Sequence, residues 1–244
     1  MAARVIADRL TKRYGSKTSV SELSFELDER CVLGFIGPNG AGKTTTMRML
    51  CGIMPPSSGT VLINGISMAE HPVEARSQIG YLPENAPLYN NMRVRAFLEY
   101  CGVMRGVYGK NLKLALGKVM ESCALQEVAG EEIEALSKGY RRRVCLAQSI
   151  IHLPSVLVMD EPTDGLDPNQ KQDIRKLIRE MRESCSIIVS THILEEVDAV
   201  CDKVLTIHSG KKVFEGSVAG FRAVSGVSLE ASFAQLTTGS KGEE

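Results

Sequence analysis

The stretch Gly37-Pro38-Asn39-Gly40-Ala41-Gly42-Lys43-Thr44-Thr45 follows an apolar run, Cys31-Val32-Leu33-Gly34-Phe35-Ile36, and precedes Thr46-Met47-Arg48-Met49-Leu50. The first flank reads as a buried strand and the second as a helix start, so the setting is strand, glycine-rich loop, helix. A helix N-terminus leaves four backbone N–H groups unpaired and carries partial positive charge, which makes phosphate its natural partner. Gly37, Gly40 and Gly42 permit the backbone angles that curl a loop round an anion. Lys43 is then placed to reach β- and γ-phosphates, and the Thr44 hydroxyl to ligate Mg²⁺. The competing reading is a glycine-rich turn that only caps a helix. A chance match to G-x-x-x-x-G-K-[ST] is expected in roughly one chain in a hundred of this length, and both flanks favour phosphate.

The chain has 244 residues, enough for one large α/β domain or a core with a subdomain. Lys plus Arg and Asp plus Glu balance at 29 each. The chain as a whole therefore has no pull toward nucleic acid or acidic lipid. Cys31, Cys51, Cys101, Cys123, Cys145, Cys185 and Cys201 form no C-x-x-C pair, and several sit in apolar runs. They read as small core residues in a reducing compartment, and the four histidines show no zinc-ligand spacing. The N-terminus lacks a signal-peptide pattern, and no apolar run approaches the ~18 residues that span a bilayer. Any membrane role is expected to come through a partner.

Residues 3 to 30 alternate apolar and polar positions around a turn-like Tyr14-Gly15-Ser16-Lys17, which predicts an antiparallel strand pair. Tyr14 at that turn could stack on a flat ligand such as a purine, or simply pack. Thr60 to Gly65 reads as a strand ending in a turn, and Ile79 to Leu82 as a short strand stopped by Pro83. From Glu84 to about Ser137 the pattern turns helical, with stripes through Val94, Phe97, Leu98 and Cys101 and through Leu112, Leu116, Val119 and Cys123. Gly102, Gly106 and Gly109 interrupt it. Strands at Val156–Met159, Ser186–Ser190 and Lys203–Ile207 then alternate with helices at Asn169–Ser184 and Leu194–Cys201, which implies a parallel sheet. Residues 208 to 221 suggest a closing hairpin, and the small polar end from Thr237 reads as disordered. The expected fold is α/β. Its core, residues 1–83 and 140–221, has a mainly parallel sheet and an N-terminal antiparallel β subdomain; an α-helical subdomain, 84–139, is inserted, and a C-terminal helix and tail occupy 222–244.

In an open parallel sheet, ligands bind at the carboxyl ends of the strands, an edge the phosphate loop already marks. Asp160 and Glu161 end one apolar strand and His192 follows another, so all three should converge there. Phosphoryl transfer to water needs in-line placement, charge neutralisation and an oriented water. Asp160 is the candidate to hold Mg²⁺, Glu161 to polarise the water, and His192 to hydrogen-bond γ-phosphate and water together. Ser137 fits a helix N-cap that leaves N–H groups from Gly139 onward for an anion, or a plain capped helix with a basic surface. The run Arg141-Arg142-Arg143 continues into Val144-Cys145-Leu146-Ala147 and reads as one solvated turn of an amphipathic helix.

Together these residues resemble the ATP-binding subunits of ABC transporters over about residues 3 to 221. Gly37 to Thr45 is similar to that family's Walker A loop, and Val156 to Glu161 to Walker B followed by the catalytic glutamate. Gly165-Leu166-Asp167 resembles the D-loop, Ser190-Thr191-His192 the switch-histidine segment, and Tyr14 occupies the adenine-stacking position. Leu136 to Tyr140 resembles the signature motif, which in this family presses on the γ-phosphate held by the other subunit. The resemblance implies a P-loop NTPase that uses ATP and Mg²⁺. Lys43, Glu161 and His192 would be catalytic and Thr44, Asp160 and Glu84 metal-facing, with Ser137 and Gly139 completing a second subunit's nucleotide site. It further implies a head-to-tail pair of identical or related subunits, an integral-membrane permease as partner, no nucleic acid, and a place on the cytoplasmic face of a membrane. Two departures stand out: Lys138 and Tyr140 replace a glycine and a glutamine of the signature, and Glu84 stands where glutamine is common. Residues 79 to 89 and 138 to 140 look similar to the branch that serves exporter-type permeases, including drug and gliding-type systems. Residues 227 to 237 resemble its C-terminal helix. The alternatives are a soluble ABC ATPase acting on ribosomes or DNA, whose usual second cassette or long coiled coil is missing here, and a slow nucleotide switch.

Overall fold

The computed structural model describes residues 5–85 and 88–238. Strands β1 (Val5–Tyr14) and β2 (Lys17–Leu27) form an antiparallel hairpin whose alternating inward residues include Val5, Ala7, Leu23 and Phe25. The chain then enters a second sheet through β3 (Val32–Ile36), every residue of which is buried, and passes through the glycine loop into α1 (Lys43–Leu50). The helix therefore begins at Lys43 rather than at Thr46, so Lys43, Thr44 and Thr45 sit in its first turn. β4 (Ser58–Ile63) and β5 (Ile66–Ser67) return to the first sheet, in the order β2-β1-β4-β5.

A short helix, α2 (Pro72–Ser77), opens on proline and leads to β6 (Ile79–Leu82). Six residues are too few for a helical period to show in the sequence, and α2 was not expected. Then come α3 (Val94–Met104), α4 (Gly109–Ser122), α5 (Lys138–Ile150), β7 (Val156–Asp160), α6 (Pro168–Arg182), β8 (Ser186–Thr191) and α7 (Leu194–Val200). β9 (Lys203–His208) and β10 (Lys211–Ser217) form the expected hairpin. It is followed by α8 (Val218–Ala223), where the sequence suggested that the hairpin continued, and by α9 (Leu229–Thr238). Ser217 caps α8 by accepting the Gly220 N–H at 3.0 Å. Thr237 and Thr238 are helical, contrary to the disorder expected of them; the rest of that expected tail lies outside the described residues.

The second sheet runs β10-β9-β3-β8-β7-β6, parallel except for β10. Both faces are covered, which explains why its central strands read as unbroken apolar runs. Val156 and Val158 of β7 pack with Met47 and Leu50 of α1, while Leu157 and Met159 pack with Val144 of α5 and Ile174 of α6. Phe97, Leu98, Leu116 and Val119 of α3 and α4 belong to that second cluster, so these helices share the core of one sheet face. Gly102 lies within α3 rather than interrupting it. A side chain there would collide with Leu112, so glycine allows α3 and α4 to approach closely. All seven cysteines are free, and burial pushes Cys123, Cys145 and Cys185 up to about 12, leaving neutral core thiols. No helix among the described residues is long and apolar enough to cross a membrane.

Candidate active site

At the carboxyl ends of the parallel strands lies a cleft of about 640 Å³, with Lys43, Thr44, Glu84, Glu161, Asp164 and His192 in its wall. Asn39, Gly40, Gly42 and Thr45 complete the loop side. Gly42 caps α1 at φ 108°, a left-handed conformation that suits glycine, and no side chain bonds the free N–H groups of that helix end. Lys43 is 7% exposed and donates from Nζ to the carbonyls of Gly37 at 2.8 Å and Pro38 at 3.4 Å. Ala41 is buried beneath the loop, and its carbonyl accepts the Gly210 N–H at 3.0 Å, fastening the loop to the β9–β10 turn. Ser19 Oγ and Thr45 Oγ1 lie 3.2 Å apart and tie β2 to the first turn of α1.

Opposite the loop, Glu161 follows β7 at φ 48°, and its N–H donates to the Ser190 carbonyl at 2.9 Å. Its Oε1 is 3.7 Å from Lys43 Nζ, and its Oε2 is 2.9 Å from His192 Nδ1. A carboxylate acceptor fixes the proton on Nδ1 and leaves Nε2 available. Asp160 ends β7 at 1% exposure, and neither carboxylate oxygen has a hydrogen-bond partner among the described residues. Burying an uncompensated carboxylate is costly, so these two oxygens fit a cation. Magnesium would suit them, because it takes one or two protein oxygens plus substrate phosphates rather than a full protein cage. No group of three metal-ligating side chains occurs among the described residues.

The sequence profile described as "ABC transporter" matches residues 20–164, more than half of the chain. The chain belongs to the ABC transporter family. It is similar to the linearmycin resistance ATP-binding protein LnrL of Bacillus subtilis, with 34% identity over 86% of this chain and 68% of that protein. The Nod factor export ATP-binding protein I of Ralstonia nicotianae is 38% identical over 85% of this chain and 65% of its own length. Among solved structures, an ATP-binding subunit of an ABC transporter superposes with a TM-score of 0.88 at 26% identity, covering 95% of this chain and 98% of that one. The chain is thus an ABC ATP-binding subunit, and such ATPases work with membrane permease components.

In this ABC subunit the signature residues stand outside the cleft wall. Ser137 caps α5 by accepting the Tyr140 N–H at 3.4 Å, and Gly139 is pressed by the Gln170 amide. Lys138, one of the departures, reaches Asp164 at 3.9 Å. Tyr14 is half-exposed at the end of β1 and donates to Met54 Sδ at 2.9 Å, with Lys12 Nζ 5.6 Å from its ring centre. The ring is not part of the cleft wall. Glu84, the second departure, has an exposed side chain in that wall.

Several site residues escaped the sequence reading. Lys17, Ser19 and Asp164 line the cleft without belonging to any motif with its own chemistry. Buried Glu196 accepts from Thr163 and, at 3.4 Å, from Thr191, bridging the two loops that carry Glu161 and His192. Burial raises its pKa, while the Thr163 hydrogen bond opposes the rise. The basic run is not one solvated turn: Arg142 is 8% exposed. Its position shows in the sequence after the fact, since it lies three and four residues before Cys145 and Leu146 on the apolar face.

Proposed function

We propose that this subunit is an Mg-dependent ATPase that closes on ATP as a head-to-tail pair and drives an export permease. The observation that carries the reading is the meeting of Lys43, Glu161 and His192 at the mouth of an uncapped helix. Glu161 sits where a base must be, with one oxygen toward the lysine of the phosphate loop and the other oriented by histidine. On binding, the N–H groups of Gly40 to Thr45 surround the phosphates, and Lys43 exchanges its loop carbonyls for β- and γ-oxygens. Water attacks the γ-phosphorus as the bond to the β,γ-bridging oxygen breaks and ADP leaves; the water's proton passes to Glu161, and His192 Nε2, unprotonated while Nδ1–H is held by Glu161, accepts a hydrogen bond from that water. When bound, magnesium would neutralise phosphate charge, held by the Thr44 hydroxyl and Asp160, with Glu84 facing it.

Ser137 and Gly139 are assigned to the partner's nucleotide, which accords with their place outside the subunit's own cleft. The helical region 84–139 is the proposed insertion, which meets the permease near residues 84 to 110, and residues 1–83 and 140–221 are the ATPase core. Relatives named for linearmycin resistance and Nod factor export support export over import. The subunit is placed on the cytoplasmic face of the membrane. Glu161→Gln should lower steady-state phosphate release by about 100-fold or more while ATP affinity is kept. Turnover at the parent rate would refute the assigned base.

A further inference from the structure

The Arg142 guanidinium has five N–H donors, and each set of them finds backbone oxygen. Nε donates to the Pro162 carbonyl at 3.0 Å. Nη1 donates to Pro83 at 2.6 Å and Glu84 at 2.9 Å. Nη2 donates to Asp160 at 2.9 Å and Glu161 at 2.7 Å. Five carbonyls from two loops thus converge on one buried cation, and none of these bonds goes to a carboxylate. Burial lowers its pKa, with Asp160, Asp164 and Glu84 opposing, but an arginine keeps its charge.

The carbonyls it holds belong to the residues that build the cleft. Glu161 adopts a left-handed conformation, which a non-glycine residue keeps only where its surroundings over-determine it. Its N–H is held by Ser190 and its C=O by Arg142, so the peptide groups on both sides of its Cα are fixed. That restraint aims the carboxylate between Lys43 and His192. The same guanidinium grips the backbone of Glu84, whose side chain faces the same cleft. Arg142 itself belongs to α5, whose first turn carries Ser137 and Gly139.

We infer that Arg142 is a positioning residue for hydrolysis: its fork sets the Glu161 backbone turn and the Glu84 loop in register with the start of α5. Lysine could not replace it fully, because a single ammonium has three donors and no fork. The inference rests on Glu161 being the base.

The test is made on the full-length chain with ATP itself. In Arg142→Met, turnover should fall by about 100-fold, the scale of a catalytic group displaced by ~1 Å. ATP affinity by calorimetry should stay within about threefold, because the phosphate loop is untouched. Adding Arg142→Met to Glu161→Gln should bring no further loss, because both act through one carboxylate. Arg142→Lys should lose about 10-fold, with affinity again retained. If the Met variant does not fold, the Lys variant is judged by the same criteria. Parent-like turnover, an affinity that falls in step with turnover, or two losses that multiply would each overturn the inference. If Glu161→Gln itself turns over normally, the base assignment fails and this inference with it; loss in Glu161→Gln beside a normal Arg142→Met overturns this inference alone.

Discussion

Two helix starts in this molecule carry the same kind of sequence, small residues followed by basic ones, and their polar groups end in opposite states. At α1 no side chain among the described residues caps the helix, Lys43 leans on two loop carbonyls, and the nearby Asp160 oxygens have no partner among those residues. At α5 Ser137 supplies the cap, Arg142 spends its donors on five carbonyls, and Arg141 bonds the carbonyls of Leu136 and Glu134. Unmet polar groups in a folded interior call for a physical account, and beside an open helix end a bound ion is the one that fits. Satisfied ones mark a part that is held. On the proposed function, the α1 end is the subunit's own ligand site, and the α5 end is a held part that is presented to a second subunit or that orders the first.

The contrast breaks most readily at Lys43. Lys43→Ala removes a charge-assisted donor from the open end, and ATP affinity should fall by about 100-fold, the equivalent of ~3 kcal/mol. Calorimetric titration of the isolated chain with ATP checks it. An affinity near that of the parent would mean that the open end of α1 is not a phosphate site.

The opposite signature is expected at the closed end. Ser137→Ala deletes a helix cap worth ~1 kcal/mol, so chemical denaturation should show a loss of that size in an isolated chain that still binds ATP as before. Both variants touch a helix N-terminus, yet one should lose ligand and the other stability. If Ser137→Ala weakened ATP binding by the isolated chain, α5 would belong to the subunit's own site and the distinction would fail.

How much of this was legible depended on whether a feature is local. The phosphate loop, the β1–β2 hairpin and the apolar strand before Asp160 are short-range patterns, and each appears where the sequence puts it. The Lys43–Glu161–His192 meeting follows from topology, because parallel strands bring their carboxyl ends to one edge. Arg142 was hidden by its neighbours: Arg141 is exposed and Arg143 partly so, and a run of three arginines reads as solvent-facing unless each is placed on the helix separately. Glu196 had no signal, since its partners lie in another loop at Thr163 and at the end of β8 at Thr191. The α2 helix fell below the length at which periodicity speaks.

The smallest expected effect concerns Glu84, the place where an open and a held group meet in one residue. Its carbonyl is fixed by Arg142 while its carboxylate is exposed in the cleft wall with those of Glu161 and Asp164. On the proposed function, three acidic groups there lie beside a triphosphate whose leaving oxygen gathers negative charge during hydrolysis, and a solvated charge contributes at most ~1 kcal/mol to such repulsion. Glu84→Gln should therefore raise turnover by about two- to fivefold at low salt. The gain should shrink as ions screen the cleft, because the Debye length falls to about 10 Å at 0.1 M. Steady-state phosphate release across a salt series reads both. The sign of the change separates the two roles open to this side chain. A fall in turnover that added magnesium restores would mean that the Glu84 charge helps hold the ion it faces, assisting hydrolysis instead of opposing it.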